Sequence, residues 1–273
     1  MIKTTHLFPI LDAKLIGLLK SLSADEWNKK TIAKRWTVKD IAAHLLDGNL
    51  RTLSLLRDKH ILTPEKQINS YQHLVEYLNR LNAEWVDTFK RVSPAVITEL
   101  LEMTGIKYSE YLAELDPYAD AIFSVAWAGE QVSKNWFHIA REYTEKWHHQ
   151  QQIRDATGKQ ELMTKELFYP AMETFIRGLP HTYRDTIAEK GTIVQFTIST
   201  DIGGTWFLVR GDNDWKLSDE LHGEISASLI LQPDTAWKLF TRGMTPEAAL
   251  VNTVINGDEK IAMAGLHLVA VMA

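Results

Sequence analysis

The stretch REYTEKWHHQQQ, residues 141–152, decides how this chain is read. It lies inside a segment expected to form one helix from near Ala128 to about Ala156, closed by Thr157-Gly158. An α-helix turns once per 3.6 residues, so Glu145 and His149 leave the same face, one above the other. That spacing suits two ligands of one metal ion. A third candidate is His44, in the stretch WTVKDIAAHLL, residues 36–46. Two histidines and one glutamate form a donor set found at zinc sites that keep a coordination position open.

The helical wheel leaves two readings of the stretch open. Val132, Trp136, Ile139, Ala140, Tyr143 and Trp147 form one stripe, and His138, Glu142, Glu145, His149 and Gln152 form another on nearly the opposite side. The second stripe is either an ordinary solvated face or a functional face covered by the rest of the molecule. His148 competes with His149, since Glu145 and His148 have the Glu-x-x-His spacing of di-iron bundles. Such sites need a second motif of that kind, and none is present. A His-Glu-x-x-His zinc protease signature is also missing.

Outward from this segment, apolar residues recur at helical spacing over 5–22, 37–58 (opened by Thr37 as N-cap, with Asp40 three residues on), 70–91 and 94–114, the last broken near Gly105. These helices predict an N-terminal four-helix bundle. After Gly158 the pattern changes. Lys165 to Arg177 reads as a helix, residues 192–199, 205–210 and 224–231 as strands, and 233–242, 246–251 and 259–272 as helices. The expected division is a helical domain over 1–158 and a smaller α+β domain over 159–273. Asp212-Asn-Asp214 reads as a hairpin turn, because a calcium loop would need glycine where Leu217 stands. Gly203-Gly204 is a turn, and the tryptophans are expected mostly in the core.

Of 273 residues, 45% are hydrophobic and 24% charged, and the net charge is −5. That balance, with no Lys/Arg run, predicts no nucleic-acid partner. No long apolar run predicts a membrane span, and the first residues do not read as a signal peptide. Cysteine is absent, which removes disulfides, thiolate ligands and a cysteine nucleophile, and fits a cytoplasmic protein.

The segments WTVKDIAAHL (residues 36–45) and AREYTEKWHHQQQIRDA (residues 140–156) resemble the DinB/YfiT-like superfamily and, within it, the mycothiol-dependent maleylpyruvate isomerases. The resemblance implies a bundle that carries a divalent metal on His44, Glu145 and His149, with zinc expected and nickel as the alternative. The C-terminal half resembles the sterol-carrier-like domain of those isomerases. There an arginine helps to hold an acidic substrate, which points to Arg242, with Arg210 in reserve.

The implied chemistry is isomerisation or S-transfer on a small electrophilic acid, with a low-molecular-weight thiol as nucleophile because the chain has no sulfur nucleophile of its own. Asp40 is a candidate to orient His44, or else a simple cap residue. Two other readings are a hydrolase using metal-bound hydroxide and a non-catalytic small-molecule binding protein. A monomer or homodimer is expected.

Overall fold

The computed structural model describes residues 1–61, 63–64 and 67–271. Helix α1 (Phe8–Lys20) carries Pro9 in its first turn, where a missing N–H leaves no hydrogen bond unmade. The short α2 (Ala24–Trp27) and α3 (Val38–Arg51) each begin on a capping box, Ser23 with Glu26 and Thr37 with Asp40. A π-helical turn over Thr52–Arg57 extends α3. Then come α4 (Tyr71–Phe89) and α5 (Pro94–Glu114), capped by Ser70 and Ser93, and α6 (Asn135–Thr157). Helix α6 ends on Gly158, whose φ of 73° is the left-handed value a helix stop requires.

Two expectations are corrected in this half. Helix α5 is continuous through Gly105. A Cβ at that position would stand 2.7 Å from Asp12 Oδ2, so the glycine admits a side chain of α1 rather than ending a helix. Helix α6 starts later than expected, at Asn135, because Ala126–Ala128 is a separate 3-10 turn that ends on left-handed Gly129.

Helices α1, α3, α5 and α6 pack together, with α4 laid against α3 through the Trp85 indole, which donates to Ala43 O at 2.8 Å. Their apolar faces meet in a cluster that includes Leu15, Leu19, Val38, Ile41, Leu45, Ile97, Leu101 and Ile153. Burial of these stripes, more than intrinsic propensity, holds such helices.

Helices α7 (Lys165–Ile176) and α8 (Leu179–Thr182) lead into β1 (Ile193–Ile198), β2 (Gly204–Arg210), β3 (Trp215–Ser218) and β4 (Ala227–Leu231). The chain closes with α9 (Pro233–Phe240), α10 (Pro246–Leu250), β5 (Thr253–Gly257) and α11 (Glu259–Ala264). The five strands lie in the order β3-β2-β1-β4-β5, with β1 and β4 parallel and the other pairs antiparallel. The register pairs Ile193 with Val209 and Ile198 with Gly204, and Val194, Phe196 and Ile198 are buried.

The turn at Asp212-Asn-Asp214 joins β2 to β3, where Gly211 N–H donates to Asp214 O at 2.8 Å. Strands β3 and β5, absent from the sequence expectation, are edge strands of only 4 and 5 residues, too short for alternation to stand out. The expected helix over 259–272 stops at Ala264 and continues as a 3-10 turn over Gly265–His267; residue 272 lies outside the described residues.

One apolar cluster joins the two halves. Trp147 of α6 meets Phe168 of α7 (5.6 Å between ring centroids) and Trp237 of α9 (6.4 Å), and Phe240 meets Phe175 and Phe196. The Tyr143 hydroxyl donates to Leu167 O at 2.8 Å, and Lys238 pairs with Asp155. Trp147 therefore fixes one face of α6 against the C-terminal half and turns the opposite face, with Glu145 and His149, toward α3. No helix among the described residues is long and apolar enough to cross a membrane.

Candidate metal centre

His44 sits near the middle of α3, about two turns from the capping box. Asp40 is held in that box through Oδ2, which accepts from Thr37 N–H at 2.9 Å and from the Thr37 hydroxyl at 2.8 Å. It is therefore a cap residue, and the idea that it orients His44 is set aside. The ring that does touch His44 is Trp36, with centroids 4.7 Å apart at 41°; the same indole lies 6.0 Å from His149.

Most of the polar stripe of α6 is covered, although the Glu145 side chain remains 33% exposed. His138, His149 and Gln152 are 3%, 7% and 4% exposed. One ligand atom from each of His44, Glu145 and His149 lies within 4.8 Å of the others. His149 Nε2 is 3.6 Å from Glu145 Oε2, and the His44 and His149 rings are edge-to-face at 4.6 Å. The 3.6 Å between the Glu145 and His149 donors suits two bonds of about 2.0–2.2 Å to one cation, and His44 closes the set from α3.

Hydrogen bonding prepares His149 for coordination. Its Nδ1 lies 3.0 Å from Gln152 Oε1, an acceptor, so Nδ1 carries the proton and Nε2 keeps its lone pair on the Glu145 side. His148, the rival by spacing, also donates from Nδ1, to Thr144 O at 2.8 Å, but it is His149 and not His148 that converges with His44 and Glu145. His44 Nδ1 is buried and has no hydrogen-bond partner among the described residues. A buried polar atom left over in this way, beside a carboxylate and a second imidazole, fits a coordination site.

The protonation states fit as well. Burial pushes His44 well below the ordinary histidine value, and the nearby His149 and Arg51 push it further, so the ring is neutral at pH 7. Burial likewise lowers His148 to about 3. At Glu145 burial acts to raise the pKa, but the neighbouring imidazoles of His149 and His148 and the Arg141 guanidinium outweigh it. The carboxyl is held well below its usual range and stays anionic. Neutral imidazole and ionised carboxylate are the forms that bind a metal.

Beyond Glu145 the stripe continues as a buried polar network. Arg141 Nη2 donates to Glu142 Oε1 at 2.5 Å and to His138 Nδ1 at 2.9 Å, and the Tyr108 hydroxyl of α5 donates to Glu142 Oε2 at 2.6 Å. Lys146 pairs with Asp12 of α1 at 2.7 Å and lies 4.5 Å from the Tyr108 ring centre. Sequence reading passed over Arg141, Tyr108, Lys146 and Asp12; the only available signal was their place on, or opposite, the His/Glu stripe.

Arg242 does not join the three residues. It adopts φ of 59° after α9 and lines a cavity of about 220 Å³ with Trp127, His181, His267, Val269 and Val271, among others; none of the three cluster residues lines it. Arg210 is on β2 with its guanidinium 5.8 Å from the Trp215 ring centre.

Residues 8–154, a span that includes all three cluster residues, match the family model of the mycothiol maleylpyruvate isomerase N-terminal domain. The chain belongs to this family. Two crystal structures share its fold. One is mycothiol-dependent maleylpyruvate isomerase, with TM-score 0.53 and 11% identity over 87% of this chain and 88% of that one. The other is a histidine-to-alanine mutant of mycothiol-dependent maleylpyruvate isomerase, with TM-score 0.53 and 10% identity over 88% of both chains. Among curated proteins none matches the chain. The family match covers the bundle, and the fold match extends over the sheet half as well.

Proposed function

We propose that this chain is a thiol-dependent isomerase of the maleylpyruvate isomerase type, with His44, Glu145 and His149 as the ligands of one divalent cation. Zinc is the expected metal and nickel the alternative. The observation that carries the reading is the convergence of these three donors from α3 and α6 within 4.8 Å. When bound, such a cation lowers the pKa of a thiol so that the thiolate is available at neutral pH.

The chain's own residues do the rest. Glu145 supplies the compensating negative charge, Gln152 holds His149 in one tautomer, and Trp36 covers the two histidines. With no cysteine anywhere in the chain, sulfur has to come from a small thiol. The substrate is a small electrophilic acid, with residues 1–158 as the metal-binding unit and 159–273 as its partner.

The test is isomerisation of maleylpyruvate by the purified protein with and without mycothiol, alongside Glu145→Ala. The proposal expects turnover only with the thiol, and its loss in the variant together with the metal. Ester or amide hydrolysis without added thiol would assign the site to a hydrolase instead.

A further inference from the structure

The part of the α6 stripe next to Glu145 contains two buried N–H donors without a partner among the described residues. Arg141 is four residues before Glu145 and His138 is three before Arg141, so both project along the same face of the helix. Arg141 Nη2 donates to His138 Nδ1 at 2.9 Å, which makes Nδ1 the acceptor and places the imidazole proton on Nε2. Burial lowers His138 to about 4, so the ring is neutral and has one N–H to give. That His138 Nε2 and the Nε of Arg141 are both buried without a partner among the described residues. A buried donor left unpaired costs as much as a lost hydrogen bond, and because Nδ1 faces Arg141 the Nε2–H of His138 points away from it, so each donor calls for its own acceptor.

Glu142 is not such an acceptor: neither of its oxygens reaches Arg141 Nε or His138 Nε2. One of its oxygens takes Arg141 Nη2 and the other takes the Tyr108 hydroxyl, which fixes the guanidinium while leaving its Nε edge free. We propose that the Nε–H of Arg141, its guanidinium held by His138 and Glu142, receives a carboxylate of the substrate, one helical turn from the Glu145/His149 cluster. The inference deepens the function proposed above and rests on it for the occupant being substrate. With a divalent cation on His44, Glu145 and His149, the stripe is net positive, and an anionic oxygen is the acceptor that gains most from a guanidinium N–H. A compact acid would then be held by its carboxylate at Arg141 with its reacting carbon toward the cluster.

The test uses maleate as the probe, titrated calorimetrically into the protein as isolated, with metal content and melting temperature recorded on the same samples. Arg141→Lys keeps a cation against Glu142 but has no Nε–H, and His138→Phe removes the acceptor that holds the guanidinium in place. Each is expected to weaken maleate binding by about tenfold or more. Metal content should be unchanged, and dimethyl maleate, which lacks the charge, should not compete. Failure of the wild type to bind maleate at millimolar concentration, or wild-type affinity in a folded Arg141→Lys protein, would overturn the subsite. A wild type that holds no metal but binds maleate in an Arg141-dependent way would overturn the metal reading and leave the subsite standing.

Discussion

Gln152→Leu is the substitution whose effect the geometry defines best. Gln152 is 4% exposed, and its Oε1 accepts the Nδ1–H of His149 at 3.0 Å. Leucine has a similar volume and helix propensity, so the change removes the acceptor with little loss of packing. Without that acceptor the buried Nδ1–H is orphaned, a cost of about 1–3 kcal/mol, and the imidazole is free to flip or to place its proton on Nε2. Loss of such an orienting partner lowers metal affinity by about 10- to 100-fold, equivalent to about 1.4–2.8 kcal/mol. The assay is competition for zinc against a fluorescent chelator at pH 7, with Gln152→Glu as the companion variant. Glutamate can still accept from Nδ1–H, so its affinity should stay near or above wild type. Wild-type affinity in Gln152→Leu would refute the argument that the tautomer of His149 is set by this bond.

Other outcomes follow from the same structure. Asp12→Ala strands Lys146, whose side chain is 8% exposed, and should lower stability by about 3 kcal/mol, the lower end for a broken buried pair because Asp12 itself is 18% exposed; urea denaturation measures it. Gly105→Ala should cost about 1–3 kcal/mol, since its Cβ meets an Asp12 pinned on Lys146. Gly17→Ala, with nothing within 4 Å, should instead stabilise α1 by about 0.5–1 kcal/mol. The metal-free protein should lose stability as pH falls from 6.5 toward 4. Over that window the unfolded chain takes up protons at His138 and His148, while the folded chain, with pKa values of about 4 and about 3, does not. Each contributes about 1.4 kcal/mol per pH unit, and a flat stability profile across that window would contradict the buried neutral state.

Much of the bundle was legible because its helix ends carry local signals: Thr37 with Asp40, Ser70, Ser93 and Gly158 all cap as their residue types suggest. Gly105 misled because its reason is tertiary; only the approach of Asp12 explains it, and nothing within α5 shows that. Strands β3 and β5 escaped notice as short edge strands whose pairing partners, not their own periodicity, define them. At the site, the spacing of Glu145 and His149 was visible in the helical period. Whether that stripe faced water or protein was not, because a wheel gives direction and not what lies there. The Arg141–Glu142–Tyr108 bonds bring together residues 34 apart in sequence and depend on how α5 and α6 pack.

The most direct measurement is the metal content of tag-free protein by elemental analysis, for the wild type, His44→Ala and His148→Ala. The account predicts one divalent ion per chain in the wild type and in His148→Ala, and its loss in His44→Ala with the bundle still folded. Stoichiometric metal retained by His44→Ala, or lost equally from His148→Ala, would contradict it.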